Sequence, residues 1–175
     1  EQPGKGRPDK IPELKPAFAR DGTITAASSS SISDGAAAVV LTRQSTAQAK
    51  GLAPVATLAG LAAHSQEPAA FSTAPVGAIR KVLDQAGWSI EDVDLFEVNE
   101  AFACVAMFAM RDLGIPHEKV NVNGGATALG HPIGASGTRI VTTLIAALKA
   151  RGLKRGVASL CIGGGEATAV ALELV

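Results

Sequence analysis

Tyrosine is absent from these 175 residues, tryptophan occurs once, and aromatic side chains make up 3% of the chain. A core of stacked rings is thereby excluded, so the 47% hydrophobic share must bury itself as Ala, Val, Leu and Ile. Two cysteines, Cys104 and Cys161, are too few for a secreted disulfide framework. A reducing, cytoplasmic setting is the expectation. An excess of one charge sign is also missing, with 16 Lys+Arg against 16 Asp+Glu. That balance excludes the basic field of a nucleic-acid binder, and no nucleic-acid partner is expected. No apolar run reaches the roughly 18 residues of a membrane span, so no membrane partner is expected either. No metal site is expected.

What is there is glycine, 19 residues of it, set among apolar runs as turns and close approaches require. Residues 1–22 carry Pro3, Pro8, Pro12, Pro16 and Gly22 and read as an irregular, extended linker, equally a processed terminus or an interior stretch of a longer protein. Residues 36–43 (AAAVVLTR) read as a short buried strand, although the alanines also suit a helix. Residues 45–50 form a helical turn closed by Gly51. Thereafter the signals become regular. Strands are expected at 55–63, 93–98, 120–122, 156–162 and 167–175. Helices are expected at 74–86, 100–112 and 136–151, the first with Ser72 or Thr73 as N-cap and Pro75 in its first turn. The helix after 99 is apolar nearly all round and reads as buried. The order β-α-β-α-β-α-β-β predicts an α/β fold with a mixed five-stranded sheet. Residues 36–41 echo 167–172, which suggests that the first segment is the last strand of another α/β half.

Three groups of residues invite chemistry, and each has an ordinary structural alternative. His131 lies between Gly130 and Pro132 at the mouth of a helix, in a stretch where glycines let backbone approach a ligand. It is otherwise a satisfied turn residue. Cys161 ends a strand just before Gly163, where open N–H groups are expected to lower its pKa. It is otherwise a small buried hydrophobe. Asn99 and Glu100 sit where a strand meets a helix, lining a site or capping the helix. No dinucleotide fingerprint or P-loop is present.

Taken together, NEAFA (99–103), GGATALGHPIGASG (124–137) and CIGGG (161–165) resemble, in order and spacing, the three C-terminal motifs of thiolases. LKPAF (14–18), DGTITA (21–26) and SDGAAAVVL (33–41) are similar to the family's middle region. Asn99 paired with Cys161 resembles thiolases rather than ketoacyl synthases. The resemblance implies a linker and last strand of the N-terminal thiolase half over 1–51, and the thiolase C-terminal domain over 52–175. It implies acyl-CoA C-acyltransferase activity, either thiolytic cleavage or Claisen condensation of acyl-CoA thioesters, in fatty acid metabolism.

By the family pattern, His131 activates a nucleophilic cysteine and helps hold the thioester oxygen. Asn99 holds a water in that oxyanion site, Cys161 is the acid/base, and backbone around Gly163 adds a second oxyanion hole. Phe18, Ser30, Ala101 and Phe102 would line the groove for the pantetheine arm of coenzyme A. Coenzyme A thioesters would be substrates, with no separate cofactor. The expected partners are acetyl-CoA or acyl-CoA, the N-terminal thiolase half that carries the nucleophile, and further copies in a homo-oligomer. Without that half the chain is expected to be incomplete and inactive, and a non-catalytic CoA-binding or assembly module is the alternative. One departure concerns Ser28-Ser29-Ser30-Ser31, where the family often has Asn-Ala-Ser-Gly.

Overall fold

The computed structural model describes residue 4 and residues 6–175. The part of the expected linker at 1–3 and 5, Pro3 included, lies outside the described residues. From residue 8 the linker forms a six-residue 3-10 segment, Pro8–Glu13, rather than fully irregular chain. Four strands follow: β1 (Ala56–Ser65), β2 (Leu95–Val98), β3 (Arg155–Ile162) and β4 (Glu166–Leu174). The helices are α1 (Gln44–Ala49), α2 (Ala74–Ala86), α3 (Ala103–Leu113), the single turn α4 (Ala126–Leu129) and α5 (Ile133–Arg151).

The sheet order is β1-β4-β3-β2, with β4 antiparallel to both neighbours and β2 parallel to β3. Consequently β1, β2 and β3 all point the same way, and their C-terminal ends share one edge. The mixed sheet of an α/β fold is therefore as expected, with four strands where five were read. The missing member is 120–122. Val120 makes a lone parallel bridge to Phe96, and the Asn121 N–H still donates to the Phe96 carbonyl at 2.9 Å. Asn121 then turns to φ +49, which ends any ladder there.

Each face of the sheet buries its own cluster. Ile79, Val82 and Leu83 of α2, with Val105 and Ala109 of α3, pack on Phe96, Val98 and Val157. On the other face Ile140, Leu144 and Leu148 of α5 pack on Leu95, Ala158 and Leu172. The i, i+4, i+8 spacing in α5 is what points all three inward, and burying each contributes roughly 1.5–3 kcal/mol. The Leu144 side chain lies over Gly156, where a Cβ would come within 2.9 Å of it.

Several expectations are corrected. Residues 36–41 form no strand and are not buried: Val40 is 93% exposed and Leu41 73%. A strand needs a hydrogen-bonding neighbour, and no described segment pairs with this one. Helix α3 begins at Ala103, because the Asn99 N–H continues the β ladder to the Ser159 carbonyl and the Ala101 carbonyl is held by Ser30. Nor is it buried all round, since Met107 is exposed. The Thr73 hydroxyl donates to the Ala70 carbonyl and accepts from Gln66 instead of capping α2. Helix α5 starts at Ile133, one turn ahead of the expected 136, with Pro132 as its N-cap residue.

Candidate active site

Polar side chains gather at the edge where β2 and β3 end. Asn99 follows β2 directly and is buried. His131 stands just before α5. Gly130 makes that approach possible, with φ +95 and a Cβ direction that would run into the Ser33 hydroxyl. The His131 N–H donates to the Ser31 carbonyl at 2.8 Å. These two backbone features bring the imidazole to Asn99, with Asn99 Nδ2 and His131 Nε2 3.4 Å apart.

The other ring nitrogen fixes the tautomer. Ser136 Oγ donates to the Pro132 carbonyl at 3.0 Å, as a helical serine does one turn back. Its remaining lone pairs face His131 Nδ1 at 2.6 Å, so Nδ1 carries the proton and donates. Nε2 is left unprotonated, and its lone pair accepts a long hydrogen bond from the Asn99 amide at 3.4 Å. Burial pushes the His131 pKa below 6.5, and the nearby Arg139 cation pushes the same way. The ring is therefore neutral at pH 7, which is the state a general base needs.

Cys161 is buried near the end of β3, two residues beyond Ser159, whose carbonyl receives the Asn99 N–H. Register thus puts it on the same edge as Asn99, with its side chain turned into the α2/α3 face. Its thiol corrects the expectation of a lowered pKa. Desolvation pushes it up to about 11, well past the opposing effect of its own backbone hydrogen bond. Cys104, in α3, is also raised by burial. Both thiols are free. In the folded chain at pH 8, iodoacetamide is expected to alkylate Cys161 roughly 100-fold or more slowly than free cysteine, the denatured chain reacting at the ordinary rate. Peptide-resolved mass spectrometry measures this, and reaction of folded Cys161 at the free-thiol rate would contradict its burial. Gly163 lies in the exposed turn joining β3 to β4.

The groove residues form a connected path. The Ser30 N–H and hydroxyl both donate to the Ala101 carbonyl, at 3.1 and 2.9 Å, so this serine ties the 26–32 loop to the turn after β2. Ser29 bridges Phe102. Phe18 is 75% exposed and meets Phe102 edge-on, ring centroids 5.8 Å apart. An open hollow of about 400 Å³ lined by Ala26, Ser29, Ser30, Ser31 and Thr127 adjoins this path.

Four site residues escaped the sequence reading: Glu97, Asn121, Ser136 and Arg139. Glu100 accepts from Asn121 Nδ2 at 2.8 Å and the Thr127 N–H at 3.1 Å, and so anchors the loop that delivers His131. Gly125 leaves the space for that carboxylate. A signal did exist for Glu97, the one acid within an otherwise apolar strand, 2% exposed here.

Comparisons with known proteins identify the family and the fold. The family described as "Thiolase, C-terminal domain" matches residues 52–174, and "Thiolase, N-terminal domain" matches 5–45. The acetyl-CoA acetyltransferase of Chromobacterium violaceum is 52% identical over 165 residues, covering 94% of this chain and 42% of that protein. The crystal structure of the Bacillus anthracis acetyl-CoA acetyltransferase superposes with a TM-score of 0.92 at 46% identity, over 95% of this chain and 42% of that one. Human mitochondrial 3-ketoacyl-CoA thiolase in complex with CoA gives 0.89 at 36% identity, over 98% and 43%. The chain spans less than half the length of these relatives.

Proposed function

We propose, from the premise that this chain belongs to the thiolase family, that it supplies the general base and the acid/base cysteine of an acyl-CoA C-acyltransferase. The observation that carries the reading is the neutral His131, its unprotonated Nε2 engaged only by the long 3.4 Å bond from the Asn99 amide. In the first step Nε2 takes the proton of a nucleophilic cysteine. The resulting thiolate attacks the thioester carbonyl, and CoA departs with that proton. A water held by the Asn99 amide, together with the protonated ring, holds the oxygen as charge develops on it. Cys161 then exchanges a proton with the α-carbon of a second thioester as the carbon–carbon bond forms or breaks. Backbone near Gly163 serves the second oxyanion.

The nucleophile is a cysteine outside these residues, because burial raises both Cys104 and Cys161 rather than activating them. The N-terminal thiolase half is therefore the partner that completes the site, and its docking covers the apolar side chains exposed in 36–41. The division is a linker region over 1–51 and a C-terminal domain over 52–175. The pantetheine arm lies along Phe18, Ser30, Ala101 and Phe102. The substrates are CoA thioesters, with acetyl-CoA favoured by the activity named for the bacterial relatives, and no further cofactor takes part. The setting is cytoplasmic fatty acid metabolism and the assembly a homo-oligomer. Among the described residues no helix is long and apolar enough to cross a membrane.

Incubated with acetyl-CoA labelled in its acetyl group, the full-length polypeptide is expected to take the label onto a cysteine upstream of these residues. One CoA should be released per label, followed by acetoacetyl-CoA. Binding of CoA with no release from acetyl-CoA would overturn the reading and leave a binding module.

A further inference from the structure

An amide has two ends of nearly the same shape, and only the partners of Asn99 decide which end faces His131. Those partners begin in β2. Alternation along the strand turns Leu95 and Glu97 toward α5, while Phe96 and Val98 face α2 and α3. The buried Glu97 thus meets Arg139, one guanidinium nitrogen lying 3.6 Å from its Oε2. The other terminal nitrogen donates to Asn99 Oδ1 at 3.4 Å, joining residues 40 positions apart. A guanidinium has donors only, so it accepts the carbonyl end of the amide and refuses the NH2 end. The NH2 is thereby turned to His131 Nε2 and the space in front of it.

We propose that Arg139, anchored by the buried carboxylate of Glu97, is a positioning residue that fixes the Asn99 amide with its NH2 toward the oxyanion site, where it holds the water that meets the thioester oxygen. The inference rests on the acyl-transfer reading above and adds the residues that orient its oxyanion donor. Stability alone gives little reason for the pair. Taking two charges out of water offsets most of their attraction, and an apolar pair of similar volume would hold the helix to the sheet as well. Burial does tell on Glu97, whose carboxyl is pushed up to about 7 despite the arginine, with Glu100 adding to the rise. The same arginine also disfavours the imidazolium form of His131, so it serves base and amide together.

The test uses the full-length polypeptide and single-turnover acylation by acetyl-CoA. Arg139→Met, which keeps volume and removes every donor, is expected to slow acylation by about 10–100-fold with KM within about threefold. In an Asn99→Ala background at pH 8, where the His131 ring is neutral with or without the arginine, the same change should add less than about twofold, since a residue acting through Asn99 has nothing left to act on. Equal losses in both backgrounds would overturn the proposal, as would an unchanged rate in folded Arg139→Met. Should that variant fail to fold, Glu97→Gln preserves shape and carries the same cycle with the same expectation. A separate readout is the nuclear Overhauser contact between the Asn99 amide protons and the His131 ring, present in the parent and lost in Arg139→Met. If His131→Ala acylates normally, the acyl-transfer reading fails. The amide contact then decides the positioning role alone: its persistence in Arg139→Met overturns that role, and its loss upholds it.

Discussion

Replacing His131 with alanine is expected to slow acyl-enzyme formation by about 10²–10⁴-fold, the range that a positioned general base contributes. The size follows from how completely the imidazole is prepared. Ser136 holds the Nδ1 proton at 2.6 Å, so no tautomer shift precedes proton abstraction by Nε2. Burial and Arg139 lower the pKa, so the neutral ring predominates at pH 7. The sign of the pH dependence follows: the rate holds at neutral pH and falls as pH drops below 6.5 through the lowered value. Stability contributed by the neutral ring disappears over the same interval, because there the unfolded chain binds the proton more readily. Stopped-flow measurement of the CoA burst across pH 5–8 gives the rate, and denaturant midpoints over the same range give the stability. A burst in His131→Ala within about threefold of the parent would remove His131 from the role of base.

Cys161→Ser is expected to act on the other half of the reaction. Acylation should stay within about threefold of the parent, while turnover through the carbon–carbon step falls by about 10²–10⁴-fold. A thiol raised to about 11 holds its proton at neutral pH, so in thiolysis it is poised to give that proton to the departing carbanion. In condensation its rare thiolate is a stronger base than an ordinary one, better matched to a reluctant carbon acid. A serine hydroxyl is a weaker acid by several powers of ten and serves neither direction. The raised value therefore suits the chemistry, whereas the lowered one expected from nearby dipoles would have made a poorer base. Separate measurement of the CoA burst and of steady-state acetoacetyl-CoA formation tests this. Undiminished condensation by Cys161→Ser would show that the proton moves elsewhere.

Local chemistry made the helices legible. Residues 74–86 match Ala74–Ala86 in full, since Pro75 suits the first turn and Gly87 takes the left-handed φ of +68 that ends it. The same holds for the β3–β4 hairpin. Legibility failed where a distant partner decides the backbone. Ser30 and Ser159 together keep 99–102 extended, so α3 starts late. Asn121 bonds Val98 and Glu100 through its side chain, and its unusual φ ends a strand that its neighbours alone suggested. At the site, His131, Asn99 and Cys161 were visible as odd residues in glycine-rich or strand-end positions. Arg139 was not, because an arginine on an amphipathic helix ordinarily faces water, and nothing nearby in the chain says that Glu97 waits beneath it.

The last strand, β4, is also the middle one, paired on one side with β1 and on the other with β3. Thr57 meets Glu173 across 116 positions of sequence. During synthesis β1 has no strand neighbour until 166–174 arrives, so its backbone groups stay open while residues 66–165 are made. The short-range β3–β4 hairpin forms last, and its insertion beside β1 closes the sheet in one late event. A nascent chain stalled before residue 166 would hold β1 without its strand partner, leaving an unpaired edge prone to aggregation.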